Sequence, residues 1–405
     1  MLKYINLKHL LSIIVIYLYI YAPPFQAIPF GIDKIFTILS IMYITYKKEW
    51  SYLLYKFKNE FALLFLLFFW AFFIATLYGK TFILMAYDLL LLIQVIPCSY
   101  ALYRYFEQGM NLKMDRGIIN AAILGSLISF YLILNPESAF YFKSELLKYP
   151  ENLVDKLVYR GYGLSDGLLF SYPVIQGFSL SFILLNFYRN KAYYFFILFL
   201  FVSIIVNARS GFVPILVAIM ILLFYNFKNI IKLLIVGGVF VLLTFDIFSQ
   251  FLEENEMLKT ATEWSMTSFE IIEDFFSGKK TENVDILLSD MIIWPEDFLT
   301  WIIGSGNYLF TGFSKTTDIG YLLRLNYGGV IYILIFIFLW LYMALRLYRI
   351  NKIMTLLLFL SLLYLNFKGD FFIVNPASRF FFLIYVICVL NRNAFKKIVN
   401  SPKNG

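Results

Sequence analysis

The chain has 405 residues, 34 Lys+Arg against 26 Asp+Glu, a formal net charge of +8, 61% hydrophobic residues, 15% charged residues and a mean hydropathy of +0.76. Soluble domains carry about 25% charged residues, so two or three ordinary soluble domains are excluded despite the length. A nucleic-acid reading of the positive charge is excluded too, because in a chain this apolar the placement of basic residues matters more than their sum.

Apolar runs of bilayer-spanning length recur from end to end. They predict about twelve helices, near 9–22, 28–46, 61–78, 81–101, 117–134, 164–187, 192–207, 211–226, 230–249, 318–345, 353–367 and 371–390. The first run is followed at once by others and reads as a retained span, not a cleaved signal. The expected fold class is an all-α polytopic membrane protein, one membrane domain over residues 1–405. Only two connections are long, 135–163 and 250–317.

Basic residues set the orientation. The termini and alternate short loops hold about 20 of the 34 Lys and Arg but only Glu49, Glu60, Glu107 and Asp115 of the acids. The positive-inside rule makes this the cytoplasmic side. Both termini are then inside and both long loops outside. Cys98 and Cys388 each lie in an apolar run, and the one histidine is His9. Neither a disulfide framework nor a Cys/His metal spacing results.

Ionisable residues at membrane depth are costly and mark function by default. Here they are Asp33, Asp88, Asp166, Arg209, Asp246, Asp318, Arg324 and Arg379, all placed toward the outer halves of their spans. A solute pathway would spread polar groups through the full depth, so a site at the outer interface is expected. Asp33, beside Lys34, reads as snorkelling, and Asp88 and Asp246 as packing partners of the arginines. Arg160 lies in RGYGLSDG and Arg209 in NARSG. A guanidinium stays charged when partly buried and its fork matches phosphate oxygens, and the neighbouring glycines admit close approach. Several outer arginines of this kind suit a lipid pyrophosphate. The third stretch runs from Gly304 to Phe336, through GSGN and TTD. There Thr316, Thr317 or Asp318 either caps a helix or supplies chemistry. The loop 250–317 alternates acids and aromatics, as in TATEWSMTSFEIIEDFFSG. It predicts short amphipathic helices on the membrane surface, with Trp264, Trp294 and Trp301 as interface anchors in preference to sugar platforms.

These three stretches, RGYGLSDGLLFSYP, NARSGFVPILVAIMILLF and GSGN with TDIGYLLRLNYGGVIYI, together with the two long outer loops, resemble the O-antigen polymerase and ligase superfamily. The likeness covers almost the whole chain, although each motif is short. It implies a GT-C-like helical fold in a bacterial inner membrane with both loops in the periplasm. It also implies a metal-independent glycosyltransferase that needs no cofactor. The partners it implies are undecaprenyl-pyrophosphate-linked glycans, membrane lipids and a chain-length regulator. Arg160 and Arg209, with Arg324 and Arg379, would hold the pyrophosphate, and Asp318 would serve as general base. Ligases of this superfamily carry His at the third stretch, where Asp318 stands here, and His9 falls on the opposite face. The resemblance therefore favours polymerase over ligase. A polysaccharide flippase remains an alternative from a different class.

Overall fold

The computed structural model describes residues 7–149, 162–168, 170–185, 187, 191–225, 259, 291–310, 316–392 and 394–395. Arg160, the run 230–249 with its Asp246, Trp264 and most of the loop 250–317 lie outside these residues. Among the described residues the chain is helical throughout, and its one β-type pairing is an isolated bridge between Phe25 and Leu147.

The helices in order are α1 (Leu7–Tyr21), α2 (Ile32–Tyr46), α3 (Trp50–Lys56), α4 (Lys58–Tyr78), α5 (Ile83–Gly109), α6 (Met114–Leu134), α7 (Pro136–Tyr141), α8 (Ser171–Leu184), α9 (Ile197–Ile205), α10 (Phe212–Tyr225), α11 (Phe298–Ile303), α12 (Gly320–Tyr348), α13 (Lys352–Leu365) and α14 (Pro376–Leu390). Every expected run that is described falls on a helix. Four of them, α4, α5, α6 and α12, are long and apolar enough to cross a membrane, and six more are shorter and apolar. Of the surface helices expected in the loop 250–317, the described part contains α11, where Phe298 and Leu299 are exposed and Trp294 stacks on Trp301 at 5.5 Å.

The core forms around the helices whose whole circumference is covered. Ser171–Ile183 of α8 and Pro376–Cys388 of α14 are buried residue by residue. A helix apolar all round belongs in an interior. Against them pack α1, α5, α9, α10 and α12. By contrast α4 presents Phe65, Leu66, Phe69, Phe72 and Phe73 outward, as a lipid-facing wall. The α8–α10 contact needs small residues. A methyl group at Gly177 would overlap the Gly211 carbonyl oxygen, and backbones meet this closely in membranes only through such positions.

Two irregularities have chemical causes. Pro97 has no N–H for the carbonyl four residues earlier, and α5 widens into a π-turn over Leu91–Val95 just before it. Helix α12 breaks at Gly329, whose φ of 69° and ψ of −171° suit glycine alone. A break inside a bilayer releases carbonyls that water cannot reach, and each costs several kcal/mol if left unpaired. Three of them are caught. Asn326 O accepts from Ser305 N at 2.8 Å, Tyr327 O from Gly306 N at 3.0 Å, and Gly328 O from Trp70 Nε1 at 2.7 Å. The GSGN turn of the third motif is thus the mould for the break. Gly329→Ala forces a forbidden φ and drives a methyl into the Ile302 carbonyl. It is expected to destabilise the protein by at least about 2 kcal/mol, read as a lower Tm and yield of the purified protein.

Glu60, in the first turn of α4, is fully buried, and Arg346 and Tyr385 donate to it. The end of the bundle where α4 begins therefore holds a buried carboxylate, neutralised by a guanidinium because an unpaired one would not be tolerated there.

Candidate functional site

The three sequence stretches meet at one end of the bundle, where α1, α9 and α13 finish and α8, α10, α12 and α14 begin. The first and second stretches are hydrogen-bonded to each other. Asn207 of NARSG donates to the Tyr162 carbonyl at 3.1 Å, and Ser210 donates to the Phe170 carbonyl at 2.9 Å. The chain passes from α9 to α10 through a single 3-10 turn, Arg209–Gly211, and this compact corner sets Arg209 half-buried at the bundle end.

The α13–α14 connection, 366–375, is the hub that joins the third stretch to the other two. The Gly320 N–H that opens α12 donates to Asn366 O at 2.9 Å. A methyl at Gly320 would meet Asn366, Gly369 and Asp370 at once. On the other side Phe371 packs edge-on against Phe170. The pKa of Lys368 is lowered, by burial of its ammonium first and then by the Arg209 charge, although the residue as a whole stays exposed. The connection ends in a capping box, Asn375 accepting from Ser378 N at 2.9 Å, with Pro376 in the first turn of α14. This fixes the start of α14 and with it Arg379.

The two deeper arginines are committed to the protein. Arg324 is wholly buried. Its Nε and Nη2 donate to Asp370 Oδ1 at 3.2 and 2.9 Å, and its Nη1 donates to the Tyr332 hydroxyl at 3.0 Å. Tyr332 in turn donates to Asp88 at 2.7 Å. Tyr308 and the Phe372 N–H donate to Asp370, and the Arg324 guanidinium stacks over Phe336 at 4.5 Å. Asp88 thus stands in the arginine's network, as a packing partner would. Arg379 donates from Nε to the Ile20 carbonyl at 2.9 Å and from Nη2 to Asp166 at 2.6 Å. It ties the SDG of the first stretch to α1 and α14. Its Nη1 is buried with no hydrogen-bond partner among the described residues. Asp33 opens α2 and accepts from Gln94 at 3.3 Å.

Asp318 is half-buried, two residues before the Gly320 contact with the hub. The N-cap position of α12 falls on Ile319, whose side chain cannot accept, and Thr317 Oγ1 takes the Ile319 N–H at 3.1 Å.

Sequence reasoning thus placed Arg209 and Asp318 at the bundle end that holds the hub, while Arg324 and Arg379 sit one layer deeper in ion pairs. It missed Lys368 and Asp370. Their signal was the FKGD segment, whose Lys lies on the side that the positive-inside rule leaves poor in cations. No family model, no curated protein and no solved structure matches this chain.

Proposed function

We propose that this chain is an inner-membrane glycosyltransferase that polymerises undecaprenyl-pyrophosphate-linked repeat units into a surface polysaccharide of O-antigen type, at the periplasmic face. The observation that carries the reading is the convergence of the three stretches on the 366–375 hub, through Gly320 on one side and Phe170 on the other.

In this reading the acceptor sugar hydroxyl attacks the anomeric carbon of the donor glycan. The new glycosidic C–O bond forms as the C–O bond to the lipid pyrophosphate breaks. The pyrophosphate leaves with the bonding electrons, and Arg209, Lys368 and Arg160 neutralise its charge. Asp318 takes the proton from the attacking hydroxyl. Arg324 and Arg379 act as positioning residues, holding the hub and the SDG turn in place. The leaving group is already activated, so the step needs a cationic cradle and a base and nothing else.

The flippase alternative draws on the break in α12, a device that transporters use to coordinate ions and solutes. Here three of the released carbonyls are taken by Ser305, Gly306 and Trp70, which turns the break to a structural use. The test is the length distribution of surface polysaccharide on a gel. Arg160→Ala and Asp318→Asn are each expected to leave one repeat unit attached and no ladder. Glycan missing altogether would assign the chain to ligation or flipping. A near-normal ladder in Asp318→Asn would reject that residue as the base.

A further inference from the structure

At the opposite end of the bundle a cavity of about 800 Å³ opens between α4, α12 and α14. Five of its lining residues are basic, Lys56, Lys58, Arg346, Arg349 and Arg392, and none is acidic. The charge gradient of a membrane protein accounts for basic loops. It does not account for cations from three separate elements turned into one concavity.

The five are not equivalent. Arg346 is anchored from behind, donating to the buried Glu60 and, at 2.7 Å, to the Lys56 carbonyl. Glu60 also accepts from Tyr385, and Glu107, the carboxylate held by Asn391, is not among the lining residues. The cavity therefore keeps an excess of positive charge that asks for a polyanionic group.

One wall says which kind. Leu345 lines the cavity and is 59% exposed, and above it Leu334, Phe338 and Leu341 are exposed too. Their spacing of three and four residues puts all four on one face of α12. An apolar stripe thus runs from the basic cavity along the bundle surface. A headgroup phosphate in the cavity with acyl chains along this stripe satisfies both surfaces at once, whereas a soluble phosphate uses only the first.

We infer that this cavity is a binding site for an anionic phospholipid, on the face that the charge distribution puts in the cytoplasm. It is independent of the polymerase reading, because it shares no residue with the hub. Basic pockets between helices on that side are suited to anionic headgroups, each Lys or Arg strengthening attraction about fivefold.

The experiment uses the full-length purified chain in phosphatidylcholine nanodiscs doped with fluorescent phosphatidylglycerol, and measures enrichment of the probe at the protein. Lys58, Arg349 and Arg392 are changed together to Gln, Arg346 being left to hold Glu60. The triple variant is expected to lose roughly 100-fold in apparent affinity. Arg349→Lys with Arg392→Lys should retain most of it. If the triple variant does not purify as a monodisperse species, the three single substitutions decide the matter, each with an expected loss of about fivefold. Undiminished enrichment in the variants overturns the assignment. So does displacement of the lipid from the unaltered protein by inorganic pyrophosphate, which would make the ligand a soluble phosphate compound.

Discussion

Replacing Arg209 with alanine is expected to abolish the polysaccharide ladder and leave single repeat units. In a reconstituted assay with lipid-linked repeat units, turnover should fall roughly 10²- to 10³-fold, the usual loss when one donor to a developing anion is removed. Arg209→Lys should recover part of this, since it keeps the charge and loses the fork. Lys368→Ala should cost less, because an exposed ammonium beside a retained guanidinium gives up only part of the local potential. Asn207 and Ser210 tie the two sides of the corner that holds Arg209 to the Tyr162 and Phe170 carbonyls, so an alanine there removes a charge and leaves the turn standing. An unchanged ladder in Arg209→Ala would remove this residue from the site.

Breaking the Arg324–Asp370 pair is expected to act on stability instead. Both side chains are buried, and Arg324→Ala strands the Asp370 carboxylate where water cannot solvate it. Single removal of one partner from such a pair costs about 3–5 kcal/mol. Asp370→Asn strands the guanidinium likewise. Both variants should show a lower Tm and poor recovery from membranes, and activity should fall with the amount of folded protein. A fully stable Arg324→Ala with turnover lost would instead place this arginine on the substrate. Arg324 shares its carboxylate with the Tyr308 hydroxyl and the Phe372 N–H, so losing the pair loosens the hub as well.

How far the sequence reaches differs between the two cases. Arg209 could be picked out because a charge at membrane depth in a glycine-bearing turn is conspicuous, and Asp318 because it stands at the entry of an apolar helix. Arg324 and Arg379 stand out by depth as well, and each faces a carboxylate, Asp370 and Asp166, which depth alone does not reveal. Asp166 and Asp370 lie far from their arginines in sequence, and only folding pairs them. Lys368 was passed over because a lone lysine in a short connection reads as ordinary solvation. Glu60 likewise meets Arg346 of a distant helix, a pairing that only folding makes.

By itself the sequence determined that the chain is helical, that its helices belong in a membrane, and where most of them start and stop. Those properties follow from local apolar content and from the need to pair every backbone polar group in lipid. It also marked the outer charges and the glycine-bearing turns. The tertiary structure decided which helices are central, because runs that are apolar all round carry no periodicity to show a buried face. Helices α8 and α14 are enclosed, while the equally apolar α4 faces outward. It decided that the GSGN turn completes the break at Gly329. It also decided that Arg324 pairs with Asp370 and Arg379 with Asp166, because charge pairing depends on contacts between segments that the chain alone does not bring together.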